Sequence, residues 1–285
     1  VKILITGSNG FIGSYFIEKY KKLYNINFFS FRKNKLENLI FDQIETIVHL
    51  SALVHQMGGA TQEEYTNINV NQTLNLAKKA KNSGVKHFIF MSTVKVYGEE
   101  TTDVYTEKSV CNPEDDYGKS KFKAEQELQK LEDENFKVSI IRTPIVYGYG
   151  VKANINNLIS LVKKVPILPF SNIQNKRSMV YVGNLCHLID TLIIKEKSGI
   201  YLAADDNLLS TTKLIELISK SLDKKVFLIK VPFFDNLLNK FKPSFYKRLY
   251  GSLEVNNVIT KKALGLKNIY SVEEGINYMI HGEVL

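Results

Sequence analysis

Cysteine is scarce in this chain: Cys111 and Cys186 are the only two, too few for a disulfide framework and without the spacing of a zinc site. That usage fits a reducing, cytoplasmic compartment. No apolar run is long enough to span a bilayer, so stable membrane insertion is not expected. A signal peptide is not expected either, because the first residues already read as a core strand. Internal repeats and low-complexity tracts are missing, which excludes solenoids and arrays. Acidic residues are in deficit, with 29 Asp and Glu against 38 Lys and Arg and a net charge of +9. The basic residues stand singly and in pairs rather than in one long tract. A solvated basic surface, or a nucleotide-like anionic substrate, therefore fits better than nucleic acid.

What remains is ordinary for a globular protein. The chain has 285 residues, 44% hydrophobic and 24% charged, enough for one large domain or a large domain with a small lobe. Its organising stretch is Val1 to Gly13, VKILITGSNGFIG. The apolar run Ile3-Leu4-Ile5 ends at Gly7, Gly10 and Gly13 follow, and a helical pattern begins. This reads as a buried strand, a tight turn and a helix opening whose free N–H groups can hold a pyrophosphate. The spacing is G-x-x-G-x-x-G rather than G-x-G-x-x-G, and alone it is a weak signal of dinucleotide binding.

Strand patterns recur at Ile26–Phe31, Thr46–Leu50, His87–Met91 and Val138–Ile141. Helical patterns lie between them, at Ser14–Leu23, Glu63–Asn82 and Tyr117–Glu134. In the second of these, Val70, Leu74, Ala77 and Lys81 fall in step. Between the second and third strands a full helical crossover barely fits, so a trimmed connection is expected. The alternation argues for an α/β fold with a doubly wound parallel sheet. Residues 1–150 read as the dinucleotide-binding domain. Residues 151–285 read mainly as a smaller substrate-binding lobe, interleaved with the last sheet strands. Helices are expected there at Ile155–Lys164, Thr211–Leu222 and Val272–Ile280. Phe227–Leu253 is basic and aromatic-rich, and reads either as a lobe helix burying its aromatic rings or as an amphipathic membrane-surface helix.

Tyr117 and Lys121 stand four residues apart, on one face of the third helix. A lone Tyr-x-x-x-Lys is common by chance. Paired with a strand-end hydroxyl such as Thr93, it can serve proton exchange with a sugar or alcohol oxygen, the ammonium and a cationic nicotinamide lowering the phenol's pKa. At this point the sequence resembles the extended short-chain dehydrogenase/reductases, the nucleotide-sugar epimerase/dehydratase family. The resemblance rests on the glycine motif, His49-Leu50-Ser51-Ala52, Asn69-Val70, Ser92 to Gly98, Tyr117 to Lys121, Arg142-Thr143-Pro144, Val146-Tyr147-Gly148 and Arg177 through Asn184. The stretches LSALVHQM, STVKV, YGVKAN and RSMVYVGNL are most similar to one branch. It holds 4-keto reductases of UDP-N-acetyl-6-deoxyhexoses and neighbouring UDP-hexose 4-epimerases.

The resemblance implies a Rossmann fold and a catalytic trio of Thr93, Tyr117 and Lys121. It places Gly7, Asn9, Gly10, Phe11, Ile12, Gly13, Ser51, Ala52, Asn69 and Pro144 with Tyr117 and Lys121 at the cofactor, to which Ser30 as a hydrogen-bond donor and Arg32 as a partner for phosphate charge are added from their own chemistry. Asn154, Arg177 and Arg248, with Thr93, are implied at a UDP-sugar substrate. A homodimer through the Tyr117 helix and the long helix before it is also implied, with no metal. His55 reads as polar loop lining, and Lys95 as either facing substrate or solvated.

The acidic residue expected after the second strand is absent, with Ser30, Phe31 and Arg32 in its place, which leaves NAD or NADP open and tilts towards NADPH. On that tilt, reduction of a UDP-4-keto-6-deoxy-N-acetylhexosamine leads and UDP-hexose 4-epimerisation is the alternative. A fold that senses NAD(P) without catalysis is a further class. A 4,6-dehydratase is excluded by chemistry, because Val94 and Lys95 stand where relatives carry an Asp-Glu pair.

Overall fold

The computed structural model describes residues 1–54, 59–100, 103–152 and 154–283. His55 lies outside the described residues. β1 (Lys2–Thr6) leads into α1 (Phe11–Tyr20), β2 (Asn25–Phe29) and β3 (Thr46–His49). A long helix follows in three parts: α2 (Gln62–Tyr65), a π-helical segment at Thr66–Gln72, and α3 (Thr73–Asn82). Then come β4 (His87–Thr93), α4 (Asp116–Gln129) and β5 (Lys137–Thr143). The remainder comprises β6 (Ile145–Tyr147), α5 (Asn154–Lys164), β7 (Ile167–Leu168), β8 (Met179–Tyr181), α6 (Val182–Lys195) and β9 (Gly199–Leu202). After these come α7 (Thr211–Ser221), β10 (Phe227–Leu228), α8 (Phe234–Phe241), α9 (Pro243–Tyr250), α10 (Val258–Leu264) and α11 (Val272–His281).

Among the described residues the main sheet runs β2-β1-β3-β4-β5-β9, every pairing parallel. This is the expected doubly wound Rossmann arrangement. Its central strands are apolar on both faces because helices cover both. One core packs α1, α6, α7 and α11 with Ile3, Ile5, Ile89 and Ile141, while α3 and α4 close the other with Leu4, Ile47, Phe88 and Phe90. The chain order reverses between β1 and β3, and ligand crevices of such sheets open at the strand C-termini there. The β2-to-β3 connection carries only a 3-10 turn at Leu36–Asn38, the trimmed crossover read from its length.

Local readings shift in three places. α1 starts at Phe11, three residues before the expected Ser14, because Gly10 already serves as its N-cap. In the long helix the π segment inserts an extra residue per turn, so the regular 3.6 phase is lost. The buried residues become Tyr65, Asn69, Val70, Thr73, Leu76, Ala77 and Ala80, while Leu74 and Lys81 are only half-buried. Finally, 227–253 does not form one helix burying its rings. Pro243 lacks an amide proton and separates α8 from α9, and Phe233, Phe241 and Phe245 remain exposed.

Candidate active site

The glycine turn forms a cradle at the end of β1. Gly7 takes the left-handed φ of +74°, and its carbonyl accepts the Gly10 amide at 2.9 Å. A Cβ on Gly13 would lie 2.4 Å from the Gly7 carbonyl oxygen, and one on Gly7 would lie 2.8 Å from the Ser51 amide nitrogen. Both positions therefore exclude any side chain. α1 begins with no side-chain cap and no acidic residue in its first turn, so its N–H groups can meet an anion. Asn9 and Gly10 are exposed at this end, whereas Phe11 and Ile12 are half-buried against the core. These features fit a dinucleotide pyrophosphate. Past β2, Ser30 opens a turn whose carbonyl accepts the amides of Lys33 and Asn34, and Arg32 is exposed. Phe31 turns inward, its ring 4.9 Å from Phe29 and 6.2 Å from His49 between centroids.

The opposite wall is built by β4, β5 and α4. Thr93 is the last residue of β4, in register with Thr143, and is followed on the β5 side by buried Pro144. Its hydroxyl accepts the Lys95 amide at 3.3 Å. α4 packs tightly on this strand end: a Cβ on Gly118 would lie 2.9 Å from the Lys95 carbonyl oxygen. Glycine next to Tyr117 is thus what lets the Tyr117 helix approach Thr93. Asp115 caps α4, accepting the Gly118 amide at 2.6 Å. Its other oxygen takes the Lys95 ammonium at 2.6 Å, and Glu99 holds that ammonium at 2.7 Å. Lys95, half-buried, is thus held between two carboxylates. The carboxylates of Asp115 and Glu99 outweigh its burial and raise its pKa.

Tyr117 is half-buried, with Tyr65 tilted beside it at 6.2 Å between ring centroids. Lys121 is fully buried, its ammonium 3.9 Å from the Phe90 ring centroid. Burial pulls the Lys121 pKa down to about 7, Glu125 opposing it. Burial first, and then Asp115, push the Tyr117 phenol above its ordinary value. The expected lowering of the tyrosine pKa is therefore not a property of the polypeptide alone. Desolvation is the largest cause, and a cation beside the phenol, such as a nicotinamide ring, would act against it.

Asn69 sits between the cofactor-side loop and α4. It is fully buried and spends its amide on protein: Leu53 N–H donates to Oδ1 at 2.8 Å, while Nδ2 donates to Leu53 O at 2.9 Å and Ser120 Oγ at 3.0 Å. The Ser120 hydroxyl in turn donates to Tyr117 O at 2.8 Å. Asn69 thus clamps the loop carrying Ser51 and Ala52 to the helix carrying Tyr117. The π segment holds it there. A second support escaped sequence reasoning altogether. Arg142 and Glu125 form a buried ion pair, with Arg142 Nη2 2.6 Å from Glu125 Oε2, and the Arg142 Nη1 donates to Tyr97 OH at 2.8 Å. The Ser92 hydroxyl also donates to Glu125. No spacing along the chain signals these partners.

Three residues implied at substrate converge around α9. Arg177 Nε donates to Gly251 O at 3.0 Å and Nη2 to Lys247 O at 2.9 Å. Arg248 Nη1 donates to Asn154 Oδ1 at 3.1 Å. No cluster of His, Cys, Asp or Glu able to hold a metal occurs among the described residues.

Residues 3–204 match the NAD dependent epimerase/dehydratase family. A UDP-glucose 4-epimerase of Vibrio cholerae is 38% identical over 96% of this chain and 92% of its own length. An N-acetyl-α-D-glucosaminyl-diphospho-ditrans,octacis-undecaprenol 4-epimerase of Escherichia coli O157:H7 is 25% identical over 91% of this chain and 84% of its length. Among solved structures, the UDP-N-acetylglucosamine 4-epimerase of Bacillus cereus superposes with a TM-score of 0.79 at 19% identity, covering 100% of both chains. The UDP-glucuronic acid 4-epimerase of Bacillus cereus, in complex with NAD, gives the same score at 18% identity over 99% of this chain and 98% of its own. With its glycine cradle, its parallel sheet and its Tyr117–Lys121 helix, the chain is an NAD-dependent enzyme belonging to the NAD dependent epimerase/dehydratase family.

Proposed function

We propose that the protein is a 4-epimerase of a UDP-linked hexose, the alternative that the sequence reading placed second to 4-keto reduction. The observation that carries this is the 38% identity to a UDP-glucose 4-epimerase across nearly the full length of both chains. The NADPH tilt, which favoured a reductase, has no support in the family, whose description names NAD. Dehydration stays excluded, because Val94 has no proton to transfer and Lys95 is held by Asp115 and Glu99. The matched dTDP-D-glucose 4,6-dehydratases of Dictyostelium, mouse and human overlap this chain over only 46–67% of their own length.

In this reading the Tyr117 phenolate takes the proton of the sugar C4 hydroxyl, and Thr93 holds the same oxygen. The glycine cradle of Gly7, Gly10 and Gly13 would hold NAD, which would supply reversible hydride acceptance at C4. Lys121 steadies the phenolate and the nicotinamide ribose. Arg177, with Arg248 and Asn154, grips the uridine diphosphate, an arginine fork matching phosphate geometry. The enzyme works as a homodimer through α4 and the long helix before it, and light scattering on the purified protein checks that arrangement.

One experiment separates the two reactions. The purified protein is incubated with UDP-glucose or UDP-N-acetylglucosamine without added cofactor, and the sugar is followed by NMR. Conversion to the galacto epimer is expected. Net oxidation of NADH or NADPH with a UDP-4-keto-6-deoxy-N-acetylhexosamine, and no epimer in the first tube, would return the reading to a reductase.

A further inference from the structure

The exposed apolar face of β10 and α8 has no role in the chemistry above. Phe233, Leu237 and Phe241 repeat at four-residue spacing, one stripe along α8, and are 79%, 56% and 69% exposed. The helix does not lack a core face of its own. Leu238 is buried, and Phe234 packs on the core with its ring 6.2 Å from Phe170. The exposed stripe is therefore additional to what folding uses. Phe227, Ile229 and Val231 stand exposed at alternate positions just before it, and Ile167 is exposed in register with Phe227. Phe233 also adopts a left-handed backbone conformation, φ +61°, which a bulky side chain rarely takes.

Charge identifies what this surface meets. Between residues 224 and 248 stand seven basic side chains, Lys224, Lys225, Lys230, Lys240, Lys242, Lys247 and Arg248, against one acidic, Asp235. Six of the net nine positive charges of the chain thus sit in 25 residues. Lys225, Lys230, Lys240 and Lys242 make no ion pair among the described residues. A second copy of the chain fits poorly, since a two-fold contact would set this basic set against itself. Protruding phenylalanines between lysines match an anionic lipid surface, where rings enter the acyl boundary and ammonium groups stay among the headgroups. We propose that β10, α8 and α9 form a peripheral docking surface for anionic phospholipid bilayers. No helix among the described residues is long and apolar enough to cross one, so the attachment lies on the membrane. α9 and its C-cap Gly251 also carry the carbonyls that hold Arg177, and α9 carries Arg248, so, on the proposed function, docking sets the diphosphate end of the site beside the headgroup layer.

The test is co-sedimentation of the full chain with phosphatidylglycerol–phosphatidylcholine vesicles and with phosphatidylcholine vesicles. Sedimentation with the first only is expected, weakening between about 0.1 M and about 1 M salt as charges are screened. The variant Phe233→Ser/Leu237→Ser/Phe241→Ser should partition at least about tenfold less while keeping its circular dichroism and NAD binding. None of these readouts needs turnover, so they stand whatever sugar the site takes. Equal sedimentation of variant and native chain, binding to neither vesicle, or equal binding to both would overturn the proposal. So would light scattering that finds the native chain dimeric and the variant monomeric, since a second copy would then cover the stripe.

Discussion

Replacing Asn69 by alanine tests whether that residue is a clamp or a cofactor ligand. The native amide makes three hydrogen bonds in a fully buried place, two to Leu53 and one to Ser120. A typical bond contributes about 1 kcal/mol net, but a buried group left without its partner costs about 1–3 kcal/mol. The Leu53 amide and carbonyl both lose theirs, while the Ser120 hydroxyl still donates to Tyr117 O. Two orphaned groups therefore set the loss at about 2–6 kcal/mol. For a large single domain each kcal/mol moves the melting temperature by about 2–4 °C, so a drop of roughly 4–24 °C is expected. The assay is thermal unfolding of the NAD-free protein by circular dichroism, paired with NAD titration. Because the loop carrying Ser51 is released, NAD affinity should fall as well. An unchanged melting temperature with lost NAD affinity would refute the clamp and restore Asn69 as a direct ligand.

Other outcomes follow from the same geometry. Tyr117→Phe should abolish turnover and leave NAD affinity near native, measured by calorimetry and NMR of the sugar; near-normal turnover would dismiss Tyr117 as the proton carrier. Glu125→Ala strands the Arg142 guanidinium in the core and should destabilise by about 3–5 kcal/mol, read by urea unfolding. A midpoint like the native one would mean that the pair is not buried in solution. His49 is held neutral between Thr6 and Thr73, burial first and Lys121 second lowering its pKa to about 3. The unfolded chain binds that proton below about 6.5 and the native chain does not, so stability is lost as pH falls from about 6.5 towards 3. At pH 4 this group accounts for about 3 kcal/mol. His49→Gln should flatten that part of the curve, and an equally steep acid loss in the variant would show that His49 does not drive it.

How much was legible in the sequence depends on the range of each interaction. The glycine turn, the sheet alternation and the Tyr117–Lys121 pair depend on neighbours within a few residues. Backbone freedom at Gly7 and the helical repeat over 117–121 are set by local sterics, so spacing alone revealed them. The sequence by itself also argues against dehydration, since the side chain of Val94 has no proton to transfer. Tertiary structure decided the rest. The π segment that turns Asn69 inward exists because loop 51–54 and α4 offer partners 16 and 51 residues away. Asp115 and Glu99 capture Lys95 only after α4 docks on the end of β4. The amphipathic pattern of 227–253 is equally good for burial or for exposure. Only the packed fold, with Phe234 and Leu238 already filling the inward side of α8, left Phe233, Leu237 and Phe241 facing solvent. The physical reason is common to all three: periodicity records which residues share a face, and what covers that face depends on segments far away in the chain.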